Sequence, residues 1–299
     1  MLPQPTDYNG KILLVRADLN LPMKNGQITD STRLTRFLPS IKIWQDGGAK
    51  KIVILSHLGR PDGKKNMADS LQPVANEMAR LLGQDVAFLP DCVGAATLAQ
   101  LDQTPARVVM AENLRFHAGE EANDEAFAQQ LARLGDVFIN DAFSVSHRRH
   151  ASVAAITQFL PSYAGPSLVA EVEALERVLV NPARPVMAII GGAKISTKIG
   201  IIEFLLPRLD QLVIGGAMAN SFLLARGVSV GASLVEKNHL PLAEKIMAAA
   251  ERQQCRLHLP LDYQVTTKLE KGATNYIKTT SDNLSADELI ADIGPATTT

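Results

Sequence analysis

The residues of this chain best suited to chemistry are basic, and they recur just after short apolar runs. Gly191-Gly192 follows the run Val186–Ile190, and Lys194 and Lys198 come next, in the stretch PVMAIIGGAKISTKIG. The run predicts a strand buried on both faces, and Ile195 to Leu206 predicts a helix. A strand, a glycine turn and a helix start expose backbone N–H groups to an anion, and lysines four apart share one face of the first turn. An ordinary βα turn with two solvated lysines has the same pattern. The stretch is neither a Walker A loop nor G-x-G-x-x-G.

Arginine and histidine recur in the same way in the first half. Arg16, Asp18 and Asn20 follow one apolar run, His57 and Arg60 (in SHLGRP) a second, Arg115 (in ENLRFHAGEE) a third, and His147-Arg148-Arg149-His150 a fourth. Singly, each reads as a solvated loop charge. Brought together in a chain of net charge −1 they need an anion, because like charges held close destabilise a fold. Arginine's planar fork suits phosphate or carboxylate. His147-x-x-His150 has metal-ligand spacing, but two adjacent arginines would repel a dication. Glu112 and Asp141 are expected to pair structurally with the basic cluster.

What gathers these residues is the alternation of elements. Strands are predicted at Lys11–Val15, Lys51–Leu55, Asp85–Phe88, Arg107–Met110 and Asp136–Ile139, with helices at Ser31–Gln45, Ser70–Leu82 and Asn123–Leu134, the last capped by Asn123. Such alternation implies a parallel, doubly wound sheet, whose strand C-termini share the edge where ligands bind. A helix over Ser167–Val180, stopped by Asn181-Pro182, is placed to connect two lobes. Beyond it, strands at Val186–Ile190, Gln211–Ile214 and Arg256–Leu259 lead into GGAK, GGAMANSF and PLDY. Glycine-rich and apolar turns suit a nucleotide, with amides for phosphate and apolar walls for a base; turns needing glycine for their own geometry have the same composition.

The 299 residues are enough for two domains, and 46% apolar with 20% charged residues is a soluble globular composition. The near-neutral charge gives no global bias toward nucleic acid or membrane. The opening MLPQPTDYNG lacks the regions of a signal peptide, and Cys92 and Cys255 read as free thiols of a reducing cytosol.

VRADLNLP, SHLGRP, ENLRFHAGEE, NDAFSVSHRRH, GGAKISTKI, GGAMANSFL and DIGP, in this order from about Asn9 to Pro295, resemble the phosphoglycerate kinase family. The resemblance implies an α/β protein of two Rossmann-like, doubly wound parallel-sheet lobes joined by a helix, the second lobe incomplete. Residues 1–166 would form the phosphoglycerate lobe, 167–182 the inter-lobe helix and 183–299 the nucleotide lobe. It implies reversible phosphoryl transfer between 1,3-bisphosphoglycerate and ADP, giving 3-phosphoglycerate and Mg-ATP, by a cytoplasmic monomer whose lobes close about the connector. Asp18, Leu19, Asn20, Arg33, His57, Leu58, Gly59, Arg60, Arg115 and Arg148 match the substrate site; Gly192, Lys194, Lys198 and Gly216 match the nucleotide site. Arg33 and Lys198 are expected to clamp the transferring group.

The chain departs from the family pattern in three places. Ser144 stands where the family has glycine, Arg149 where it has alanine, and Ala217 where it has the third glycine of a triplet. The family also continues past DIGPATTT, through a segment whose acid binds Mg2+ with the nucleotide. Residues 1–299 alone are therefore expected to bind 3-phosphoglycerate weakly and Mg-ADP poorly, without turnover. A catalytically inactive phosphoglycerate-binding protein of the same fold is the alternative reading.

Overall fold

The protein, seen as a computed structural model, is described for residues 8–180 and 182–298. The opening residues 1–7, the expected helix stop at Asn181, and Thr299 lie outside them. The chain divides into two compact units, Met1–Leu175 and Glu176–Thr299.

In the first unit, strand β1 (Ile12–Ala17) leads through the hairpin β2 (Met23–Lys24) and β3 (Gln27–Ile28) to helix α1 (Thr32–Asp46). Then follow β4 (Lys51–Leu55), α2 (Gln72–Leu82), β5 (Val86–Leu89), α3 (Ala95–Gln103) and β6 (Val108–Ala111). Short α4 (Ala118–Glu121), α5 (Glu125–Ala132), β7 (Val137–Asp141) and β8 (Ser162–Ala164) complete the series, and α6 (Pro166–Leu179) runs across the division at Leu175. Six strands pair in parallel in the order β5-β6-β4-β1-β7-β8.

Apolar runs become strands here because both faces are covered. Alternate residues of β1 and β4 enter different cores. Leu13, Val15, Ile52 and Ile54 meet Ile41, Trp44 and Met78 from α1 and α2. Leu14, Val53 and Leu55 meet Leu131 from α5 and Phe138 from β7. Each such side chain contributes about 1.5–3 kcal/mol by leaving water. Helix α1 buries Leu34, Phe37, Ile41 and Trp44 along one stripe, with Phe37 set edge-on to Trp44 at 5.9 Å. The cap of α5 is Asp124, not Asn123: its carboxylate accepts from the Phe127 amide at 2.7 Å, whereas Asn123 takes a left-handed φ of 54° and binds the Ala155 amide.

In the second unit, β9 (Met187–Gly191), α7 (Ile199–Leu205), β10 (Gln211–Gly215), α8 (Met218–Ala225), α9 (Leu240–Arg252) and β11 (Arg256–His258) build a parallel sheet ordered β11-β10-β9. One face of it is core: Leu212 and Ile214 pack with Met218, Phe222, Ala243 and Ile246. The expectation that Val186–Ile190 is buried on both faces fails. β9 is an edge strand, and Met187 and Ile189 stand 50% and 76% exposed. An antiparallel sheet, unforeseen in the sequence, follows: β12 (Asp262–Thr266), β13 (Tyr276–Thr279) and β14 (Leu289–Ile293), ordered β13-β12-β14. The Asp262 carboxylate accepts from the amides of Ala296 and Thr297, at 2.9 and 2.8 Å, in the first turn of α10 (Pro295–Thr298). Gly294 of DIGP passes so close to that carboxylate that a Cβ there would collide with it.

Candidate active site

The carboxyl edge of the six-stranded sheet gathers most of the predicted substrate residues. Past the end of β1, Asp18 takes two contacts from Arg33 Nη1, at 3.0 and 2.9 Å, and a hydrogen bond from the Ser144 hydroxyl at 2.7 Å. Arg33 Nη1 also reaches the Asn20 carbonyl at 3.3 Å, and Asn20 Oδ1 accepts from the Gly59 amide at 3.1 Å. The segments after β1 and β4 are thereby tied together. Leu19 and Leu58 are buried and serve as anchors: the Leu19 amide donates to Ser56 Oγ, and the Leu58 carbonyl accepts from Asn113.

Gly59 has a φ of +64°, and a Cβ there would fall on the Asp69 carboxylate, so the turn needs glycine. Its carbonyl accepts from Arg115 Nη1 at 2.8 Å, while Arg115 Nε pairs with Glu121 at 3.2 Å. Arg60 and Arg148 are exposed, and their guanidinium groups make no hydrogen bond or ion pair among the described residues.

Arg16, which the sequence places at this edge as an anion binder, has another part. It is wholly buried, donating from Nε to Ser152 at 3.0 Å and from Nη2 to His57 Nδ1 at 3.0 Å. Ser152 Oγ in turn donates to Glu120 at 2.6 Å. Glu120 and Ser152, unremarked in the sequence, therefore hold the arginine that orients His57. Because arginine only donates, His57 accepts at Nδ1 and carries its proton on Nε2. Burial first, then the charges of Arg16, Arg115, Arg148 and His150, push the His57 pKa down to about 2. The imidazole is neutral, and Arg16, Arg115 and Arg148 concentrate positive charge around it.

Glu112 and Asp141 do not pair with this cluster. Glu112 accepts from the Ser70 hydroxyl and from the amides of Leu71 and Asn113, bracing the start of α2. Asp141 accepts from the amides of Ser167 and Leu168, at 2.7 and 3.1 Å, in the first turn of α6. His147 is exposed, whereas His150 is buried with Nδ1 at 3.7 Å from Glu120; the pair is not gathered as a metal site.

In the second unit, Gly192 and Gly216 meet backbone to backbone. Gly216 has a φ of +64°, its absent Cβ would stand 3.1 Å from both N and O of Gly192, and the Met218 amide donates to the Gly192 carbonyl at 2.8 Å. Helix α7 begins at Ile199 rather than Ile195, so Lys194 and Lys198 do not share its first turn. Lys198 is its capping residue, and Lys194 lies in the preceding loop. The early start is prevented by a turn in which Glu236 accepts from the Ser196 amide and hydroxyl, at 3.0 and 2.7 Å. Both lysines are exposed. Gly216 and Ala217 open onto a cavity of about 260 Å³ walled by Leu223, Leu234, Tyr263 and Ile290.

The chain is similar throughout to proteins of one kind. The model of the family described as phosphoglycerate kinase matches residues 4–299. The phosphoglycerate kinase of Sinorhizobium medicae is 47% identical over 291 residues, 97% of this chain and 72% of that protein. That of Bartonella quintana is 47% identical over 289 residues, 96% of this chain and 72% of its own length. Among solved structures, phosphoglycerate kinase from Coxiella burnetii superposes with a TM-score of 0.80 at 39% identity, covering 97% of this chain and 73% of that one. The enzyme from Pyrococcus horikoshii OT3 gives 0.79 at 29% identity, covering 97% and 74%. With the family model spanning nearly every residue and relatives of this identity, the chain belongs to the phosphoglycerate kinase family.

Proposed function

We propose that the family's reaction, phosphoryl transfer between 1,3-bisphosphoglycerate and ADP to give 3-phosphoglycerate and ATP, is divided in this chain between its two units. The first holds the phosphoglycerate at the carboxyl edge of its sheet. The second holds the nucleotide at the Gly192–Gly216 turn, with Mg2+ entering as part of that substrate. The protein works as a cytoplasmic monomer; its two free, buried cysteines suit a reducing compartment.

The observation that carries this reading is the cation field around His57. Its buried, neutral imidazole keeps Nε2–H as a donor, and Arg60 and Arg148 have charges to give to an anion. Asp18, steadied by Ser144 and Arg33, accepts from a glycerate hydroxyl. Asn20 spends Oδ1 on Gly59, which leaves its amide N–H groups for the substrate. The Arg33–Asp18 pair has side chains 52% and 18% exposed. Such a pair holds by about 0–1 kcal/mol, so Arg33 can exchange its partner for a phosphoryl oxygen at little cost.

On the nucleotide side, the paired glycines bare their amides to phosphate and the apolar cavity receives the base. Phosphoryl transfer asks for placement and for positive charge on the equatorial oxygens, rather than for covalent chemistry by the protein. Arg33 and Lys198 supply that charge. Arg33→Ala and Lys198→Ala should each lower kcat by about 3 kcal/mol, roughly a hundredfold, and raise KM less. Steady-state kinetics of ATP formation on the full gene product tests this, and a variant that keeps wild-type kcat removes its residue from the mechanism.

A further inference from the structure

Along the same carboxyl edge, but past the outermost strand β5, three metal-ligating side chains of different kinds converge. Asp91 and Cys92 follow β5, and His117 follows the short helical turn Leu114–Phe116. One ligand atom from each of the three lies within 4.8 Å of the others. His117 Nε2 and Asp91 Oδ1 are 2.8 Å apart. The His117 ring is held by stacking on Phe127, with centroids 5.1 Å apart and planes at 29°. The Asp91 and His117 side chains are 45% and 31% exposed, while Cys92 is wholly buried beneath them. Solvent reaches the site from one side, and the sulfur closes the other.

We propose that Asp91, Cys92 and His117 bind a divalent transition ion of borderline softness, of the Zn2+ class, with water at the fourth position. Carboxylate, thiolate and imidazole are the donor set such an ion prefers, and three protein ligands with an open position form a common arrangement. Nitrogen and oxygen ligands about 2.0–2.1 Å from a tetrahedral ion lie roughly 3.3 Å apart. An ion in place of the shared Asp91–His117 proton therefore separates these atoms by only about half an ångström from their present 2.8 Å. The charges felt at the Cys92 thiol belong to Asp91, Glu120 and Glu112, a field that attracts a dication. Burial pushes that thiol's pKa well up, so without metal it stays protonated and unreactive. On coordination its proton leaves to the buffer, and His117 presents its Nε2 lone pair with the ring proton on Nδ1. The bound ion would clasp the loop after β5 to the segment carrying Arg115.

Cobalt titration decides the matter, because Co2+ replaces Zn2+ in such sites and a thiolate ligand gives a charge-transfer band in the near ultraviolet. The wild-type chain and Cys255→Ser, which removes the other thiol, should both develop that band, and Zn2+ should abolish it. Cys92→Ser should lack it. His117→Gln, at a partly exposed position, should weaken Co2+ binding by at least about a hundredfold, more than loss of an outer-shell partner would. A wild-type chain without the band overturns the proposal, and so does a band that persists in Cys92→Ser. Undiminished Co2+ affinity in His117→Gln overturns it too, even if Cys92→Ser does not fold.

Discussion

Acid should destabilise the first unit through His57. The imidazole is 4% exposed, accepts a hydrogen bond from the charged Arg16, and faces Arg115, Arg148 and His150, so its folded pKa is pushed down from 6.5 to about 2. A depressed histidine pKa means that below pH 6.5 the unfolded chain binds a proton which the folded chain refuses. Its contribution is whole above pH 6.5 and is lost as the pH falls from there toward 2. One proton difference costs about 1.4 kcal/mol per pH unit, hence about 2 kcal/mol between pH 6.5 and about 5. In a unit of this size that is a fall of about 4–8 °C in Tm. His150, also depressed, adds to the wild-type slope in the same direction. The comparison with His57→Gln, which keeps an acceptor for Arg16 and cannot titrate, isolates the His57 share. Urea unfolding of both proteins at several pH values gives the slopes. Equal slopes would refute the reasoning, because His57 would then be charged in the folded state.

Two further substitutions probe each unit separately. Gly216→Ala places a Cβ 3.1 Å from the Gly192 backbone at a left-handed φ of +64°, so it should cost the second unit about 1–2 kcal/mol from backbone strain alone. It should also weaken Mg-ADP binding; unfolding and nucleotide titration read the two effects. Ser144→Gly restores the family's residue but removes the 2.7 Å hydrogen bond to Asp18. Affinity for 3-phosphoglycerate should drop by the few-fold that corresponds to about 0.5–1 kcal/mol, and unchanged affinity would show that Arg33 alone holds Asp18 in place.

Five strands of the first unit were legible because a parallel sheet covered on both sides demands continuous apolar runs, whereas the two-residue strands β2 and β3 and the three-residue β8 are too short to leave such a run. The ligand edge was legible because parallel strands end together. Burial of the charges was not. Arg16 reads like Arg60 in sequence, yet one lies at the core behind Ser152 and the other in solvent, and only the packing of Glu120 separates them. Glu112, just after β6, and Asp141, at the end of β7, read as partners of the arginines because sequence shows proximity along the chain. Helix starts at Leu71 and Ser167, far away in sequence, were their real partners.

The late start of α7 was hidden for a similar reason, since Glu236, forty residues on, satisfies the amide of Ser196. Exposure of β9 could not be foreseen from apolar composition, which reports what a strand can bury and not what lies above it. The antiparallel sheet went unread because TKLEKGATNYIKTTSDNLSADELI mixes charges and turn residues with only short apolar alternation. Its core depends on Tyr263 and Val265 meeting Leu223 and Val230 from other elements.

The account's central claim is that cations gathered around His57 form the phosphoglycerate site. Isothermal titration of 3-phosphoglycerate across ionic strength tests it most directly. A phosphate meeting several fixed cations should bind several-fold more weakly as salt rises from low levels to about 0.5 M, and sulfate should compete for the site. An affinity independent of salt and indifferent to sulfate would contradict the claim, for it would mean that the guanidinium groups of Arg60 and Arg148 do not meet the phosphate.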